Sequence, residues 1–323
     1  VEQYEVLKHS VLTKAVRMFE PPPDMLGAKI FKTEEVIGET AGIDIEYNPR
    51  HMASYRHPDA EAGTQALMKV KHIDVTLPCL KEKKKIPARV LNVLRQPGTE
   101  HTKWGEKKIA EELRALDIIV TNRMEWARWQ ILQTGKVEIT TGDIQFSIDF
   151  GMASSHKPTL VGDDRWSNPS TADPVSDITS WKQLYAQDCG KNAKIAICTS
   201  TVMGYLMASD KVRQLMGESF KTQVLQSGRI TRLLELDWWV YDHGYVPEGG
   251  SFTNFLGTDK VILWSGDPFR EYVGIFPDVK AKTPGKFSKS WEEEDPSGIW
   301  VMLGVNSIPS GERVEELFCA DVA

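Results

Sequence analysis

The chain has 323 residues, enough for one large domain or two and for a core that buries roughly three-quarters of the unfolded surface. Apolar residues make up 41% and charged residues 26%, and the net charge of −6 (39 basic against 45 acidic side chains) argues against a chain whose main task is gripping a nucleic-acid backbone. Cys79, Cys189, Cys198 and Cys319 form no C-x-x-C pair and too sparse a set for a disulfide framework, which points to a reducing compartment, and neither an 18-residue apolar run nor a charged-then-apolar leader is present.

The first forty residues make a poor domain. VLTKAVRMFE (11–20) predicts one short helix, and PPPD (21–24) stops it, because proline lacks an amide donor and fixes φ. The stretch is expected to be an extended arm that needs another surface to rest on. The sequence opens at Val1 without Met, as if a few residues were missing.

GIDIEY (42–47) alternates Ile43 and Ile45 against Asp44 and Glu46, the period of a half-buried strand. MKVKHIDVTL (68–77) alternates less cleanly. NPRHMASYRHPDAEAGTQ lies between them, rich in Pro, Gly, His and charge, and predicts a long hairpin-like excursion. KEKKKIPAR (81–89) reads as a solvated edge whose lysines discourage strand aggregation, or as a contact with an acidic neighbour.

Residues 99–134 carry the clearest signal. Ile109, Leu113, Leu116, Val120, Met124, Ala127 and Ile131 fall three and four apart, one apolar stripe of an amphipathic helix. Thr99 or Thr102 could cap its front, and Gly135 is placed to close its back. About thirty residues give a rod of roughly 45 Å. KVEITTGDIQFSIDFG then predicts a hairpin, and 151–180 reads as loop.

A compact α/β unit follows. SWKQLYAQDCG and TSTVMGYLMASDKVRQLM (199–216) predict helices, the second with Val202, Leu206, Val212 and Leu215 as its stripe and Ser200 or Thr201 as its cap. KIAIC, ELDWWVYD and DKVILWS predict strands. GIWVMLGVNS returns to β structure, with Ile299, Val301 and Leu303 opposed to Trp300 and Met302. VEELFCADVA closes the chain as a strand with Phe318, Ala320 and Val322 on one face.

Little chemistry is visible. Asp149-Phe150-Gly151 matches a kinase magnesium triplet, but the glycine-rich loop, strand lysine and H-R-D loop that a kinase needs are absent, so the triplet reads as a strand ending at a glycine turn. No phosphate-cradling loop, G-x-S-x-G elbow or H-E-x-x-H occurs. His51, His57 and His72 share the β excursion without fixing a shared face for a metal. WEEEDP (291–296) reads as a solvated acidic run. Trp126, Trp129, Trp238, Trp239, Trp264 and Trp300 could stack sugars, but large aromatics more often supply core and interface area. No catalytic, cofactor-binding or metal residue is assigned, and no cofactor is expected.

The order of these elements resembles the major capsid proteins of tailed phages, specifically the lambda-type major head protein family with its HK97-type fold. RWQILQTGKVEITTGDIQFSIDFGM (128–152) is the most specific match, since the family ends its spine helix in a Leu-x-x-Gly-Lys turn and follows it with a β segment ending in Asp, an apolar residue and Gly. SIPSGERVEELFCADVA resembles the family's closing strand. The resemblance implies an α+β protein with an N-terminal arm (1–40), an extended loop or E-loop (41–95), a peripheral domain (96–176) with a spine helix at 103–134, an axial domain (177–280), and a return to the peripheral domain (281–323). It implies a non-enzymatic shell protein of the virion, assembled in the bacterial host cytoplasm as hexamers and pentamers. The implied partners are the chain itself, a portal, a scaffolding protein expected to be a separate chain, possible decoration protein, and packaged double-stranded DNA in weak non-specific contact, with no membrane. An encapsulin-like nanocompartment shell and a Trp-rich carbohydrate-active enzyme are the alternatives.

Overall fold

The computed structural model describes residues 8–47, 52–64, 70–89, 100–140, 145–217, 224, 227–247 and 249–323, and the side chains of Glu46 and of 100–108 are excepted. In chain order these residues form α1 (His9–Arg17), α2 (Gly27–Ile30), β1 (Phe31–Glu35), β2 (Thr40–Glu46), β3 (Val70–Thr76), β4 (Cys79–Pro87) and α3 (Glu100–Thr134). Then come β5 (Lys136–Ile139), β6 (Phe146–Asp149), α4 (Pro174–Cys189), β7 (Ile195–Cys198), α5 (Ser200–Ala208) and α6 (Asp210–Leu215). The rest is β structure: β8 (Arg232–Leu233), β9 (Leu236–Val240), β10 (Gly244–Tyr245), β11 (Thr253–Asn254), β12 (Lys260–Trp264), β13 (Phe269–Gly274), β14 (Phe287–Glu293), β15 (Gly298–Pro309) and β16 (Phe318–Asp321). The chain divides into two units, the first made of 1–42, 74–128 and 270–310, the second of 43–73, 129–269 and 311–323.

The first unit is a sheet with helices on one face. Its strands run β1-β13-β15-β14, and β4 pairs with β15 beside β13. β15 alternates as its sequence predicts. Ile299, Val301, Leu303 and Val305 enter one core with Ile109, Leu113, Leu116, Val120 and Met124 of α3. Trp300 and Met302 point to the other face, a consequence of the period of two along a strand. The whole stripe from Ile109 to Ile131 is buried.

The N-terminal segment corrects the expected arm. Residues 8–35 do not lack a surface on their own chain: Leu12 and Val16, 2% and 0% exposed, sit in the same core, with Ala15 and Phe19 packed against it. Those four residues fall at i, i+3, i+4 and i+7, the stripe a helix needs to dock. The Thr13 hydroxyl donates to Ser288 O at 2.9 Å and accepts from Ser288 N at 3.1 Å, and β1 extends the sheet next to β13. The front end of α3 is a second correction. The helix already runs at Glu100, so Thr102 lies inside it and is no cap, and Thr99 is outside the described residues.

The second unit is built on the sheet β16-β12-β7-β9-β8, with β7 and β9 parallel and the other pairs antiparallel. α4, α5 and α6 contribute Ile178, Trp181, Tyr185, Val202, Leu206 and Val212 to its core, where Phe318, Ala320 and Val322 join them as one face of the closing strand. That strand corrects the grouping expected for 281–323, because β16 pairs with β12 (Val261 opposite Ala320) and so divides the segment after Ser310. The physical reason is the alternation itself: three fully buried side chains on one face need an apolar sheet, and β12 supplies it.

Residues 200–215 form two helices rather than one. Ser209, with φ −61° and ψ 129°, is extended and breaks the run; Thr199, not Ser200 or Thr201, caps the front by accepting from Val202 N, and Leu215 ends up exposed. The end of α3 belongs to this unit. Gly135 takes φ +70° and donates to Ile131 O at 2.8 Å, and a Cβ there would stand 2.3 Å from the Met152 Cβ, so only glycine fits the turn. Just before it, Gln133 accepts from Gly257 N and donates to Phe255 O, both at 2.9 Å, and Trp129 stacks on Tyr241 with centroids 4.4 Å apart. β5 and β6 form the hairpin predicted after the helix.

Candidate assembly surfaces

The residues that could carry chemistry are distributed as structural parts. Asp149 Oδ1 accepts from Gly151 N at 2.8 Å, and its Oδ2 pairs with Lys136 Nζ at 2.8 Å. That hydrogen bond from Lys136 holds the Asp149 carboxyl below the usual carboxylate range. With Gly151 at φ +87°, the triplet closes a hairpin. Burial pushes the thiols of Cys198 and Cys319 up to about 12, so neither is a nucleophile at neutral pH.

His57 lies beside Asp59 and His72 beside Asp44, at 3.4 and 2.5 Å, while His51 is outside the described residues. Among the described residues no three His, Cys, Asp or Glu side chains gather around one point. Of the six tryptophans weighed as a sugar platform, Trp129, Trp238 and Trp264 are buried and Trp126, Trp239 and Trp300 half-buried. They serve the packing role: Trp239 meets Trp264 edge to face, Trp300 stacks on Trp291, and Arg123 lies over Trp126.

Sequence reasoning missed a polar stripe on α3. Asp117, Thr121, Glu125 and Arg128 are all buried, four, four and three residues apart. Lys286 Nζ reaches Asp117 at 2.5 Å and Thr121 at 3.2 Å. Arg128 bridges Glu125 at 3.0 Å and Glu271 at 2.5 Å, and Glu125 also accepts from Gly27 N at 2.7 Å. Burial alone would lower the Arg128 pKa, but the carboxylates of Glu271 and Glu125 outweigh it and keep the guanidinium charged. Breaking such a buried cluster by removing one partner costs about 3–5 kcal/mol, since the remaining charges are left uncompensated. The spacing of the stripe is visible in the sequence; its partners lie about 100 to 170 residues away, so no local pattern shows that these charges are buried.

The lysine run on β4 is an edge, as read. Lys81, Lys83 and Lys84 are exposed; Lys84 pairs with Glu112 of α3, Lys85 with Glu293 at 2.5 Å, and Lys83 lies 4.5 Å from the Trp300 ring.

The segment between β2 and β3 differs from all of this. Every residue from 52 to 64 is exposed, including Met52 and Tyr55. Its internal contacts are local: Ala60 N donates to His57 O at 2.9 Å, and Arg56 to Glu61 O at 3.1 Å. The ribbon beneath it buries Ala41, Ile43 and Ile45. A limb of this sort, projecting from a paired ribbon with no apolar stripe of its own, is suited to lie on another molecule.

A family model described as phage major capsid protein E matches residues 8–322. No curated protein matches the chain. Among solved structures it is similar to a protein assigned as the capsid protein of an E. coli CFT073 prophage, with TM-score 0.67 and 17% identity over 96% of this chain and 95% of that one. It is similar to a phage-related protein from Bordetella bronchiseptica RB50, with TM-score 0.58 and 15% identity over 98% of each chain. It is also similar to the mature capsid subunit of bacteriophage PhiM1, with TM-score 0.51 and 11% identity over 94% of this chain and 88% of that one. At these identities the likeness speaks to the fold, which is the HK97 type.

Proposed function

The chain belongs to the phage major capsid protein E family, and from that premise we propose that its copies close an icosahedral head of hexamers and pentamers around double-stranded DNA. Forming the capsid shell is the role the family gives it, and the virion is its place. The match over 8–322 is the observation that carries the reading. The exposed limb at 52–64 supports it, because a shell subunit must spread its binding over several neighbours, and permanent interfaces commonly bury more than about 2,000 Å².

In this reading 52–64 is the tip of the extended loop and rests on an adjacent copy. The first unit serves as the peripheral domain, and the sheet β16-β12-β7-β9-β8 belongs to the axial domain at the capsomer centre. A portal, a separate scaffolding protein and a decoration protein are the further partners, assembly takes place in the host cytoplasm, and the chain catalyses no reaction. The test is negative-stain microscopy of the chain expressed with and without its scaffolding protein. Closed shells with five- and six-fold clusters are expected; a monomer that forms no ordered assembly under either condition would overturn the reading.

A further inference from the structure

A strongly basic cleft in the first unit has no part in the packing described so far. α1 forms one wall, with His9, Lys14, Arg17 and Met18; Lys280, Ala281, Lys282 and Thr283 form the other. The cleft is about 470 Å³, and no Asp or Glu lines it. In a chain of net charge −6 this is a marked local reversal.

Two observations set it apart from scattered surface lysines. First, its walls are fastened together. Arg17 donates to Lys286 O at 3.0 Å, to the Thr283 hydroxyl at 2.7 Å and to Thr283 O at 3.1 Å, and the Thr13–Ser288 pair closes the base. Second, the neighbouring lysines are held in ion pairs while the lining ones are not, although the Asp278 carboxylate lies near Lys280 and accepts from its backbone N–H at 3.0 Å. Lys286 is drawn to Asp117 and Lys289 to Asp278, each at 2.5 Å. Among the described residues Lys14, Lys280 and Lys282 make no ion pair, and all three are exposed.

We propose that this cleft takes the phosphate backbone of duplex DNA, without sequence preference. The inference rests on the reading of the chain as the wall of a DNA container. Lysine ammonium groups are point charges that contact phosphates and do not read bases bidentately. The cleft exposes no Phe, Tyr or Trp ring for bases to stack on: Phe287 is buried beneath it, and the imidazole of His9 is half-buried. Three lysine contacts per subunit make a weak site, compatible with a chain that is acidic as a whole, and a shell would present the site many times over.

The test is fluorescence anisotropy of a labelled 20-base-pair duplex against the purified full-length chain, over a salt series. Each phosphate contact adds about 0.9 to the slope of log affinity on log salt. The variant Lys14→Ala/Lys280→Ala/Lys282→Ala is expected to bind at least ~10-fold more weakly at low salt, with a slope shallower by roughly 2–3. A control of equal charge change on exposed strand positions, Lys32→Ala/Lys71→Ala/Lys81→Ala, is expected to bind as the unaltered chain does. Equal loss in both variants, or loss in neither, overturns the proposal. So does tighter binding of a polyglutamate peptide than of the duplex at the cleft, which would make an acidic protein segment the occupant. If shells form but the cleft variant binds DNA undiminished, this inference fails and the shell reading stands; if the unaltered chain never forms shells, that reading fails whatever the DNA result.

Discussion

Two segments of this chain, the expected arm and the expected loop, are treated oppositely by the structure. Residues 8–20 carry Val11, Leu12, Ala15, Val16, Met18 and Phe19 ahead of three prolines, whereas 52–64 is polar but for Met52, Tyr55 and three alanines and holds Pro58 within it. The first docks on its own sheet through Leu12, Ala15, Val16 and Phe19; the second buries nothing. The difference lies in composition and in spacing together. Four apolar side chains on one helical face can bury together, whereas Met52 and Tyr55, set among Pro, Asp, Glu and Gly, share no regular face. A segment becomes available for a neighbouring copy when its own chain offers no way to gather its apolar atoms.

The contrast can be broken by mutation. Replacing 52–64 with a short Gly-Ser turn should abolish closed shells while leaving the melting temperature of the isolated subunit essentially unchanged, read by microscopy and calorimetry. A smaller and opposite effect is expected from Leu12→Ala, which should destabilise the subunit by about 2–5 kcal/mol, as for other buried leucines, whereas Met52→Ala should change stability by less than about 0.5 kcal/mol. Denaturant titration of the two variants gives the comparison. Equal stability losses would mean that the limb is packed on its own body after all.

Much of this was legible in the sequence. The stripe from Ile109 to Ile131, the closing face of Phe318, Ala320 and Val322, the glycine stop at Gly135 and the edge lysines of β4 follow from local spacing, and the structure keeps all four. The features that escaped depend on distant partners. Arg128 meets Glu271 from 143 residues away, and Lys286 meets Asp117 from 169, so no local pattern says that those charges are buried. The docking of α1 was available in the spacing of its apolar residues, but the three prolines behind it favour an extended reading. Ser209 divides a helical run that carries no Gly or Pro at the break; Ser209 itself is fully buried and donates its backbone N–H to Tyr205 O at 3.0 Å. The basic cleft needed the fold to bring 9–18 and 280–283 together.

Hydrogen exchange read by mass spectrometry, on free subunits and on closed shells, tests most directly whether the two segments play these different parts. Amides of 10–17 should already be protected in the free subunit and change little, while those of 52–64 should exchange at once when free and become protected on assembly. Shells in which 52–64 exchanges as fast as in the free chain would contradict the role given to that limb.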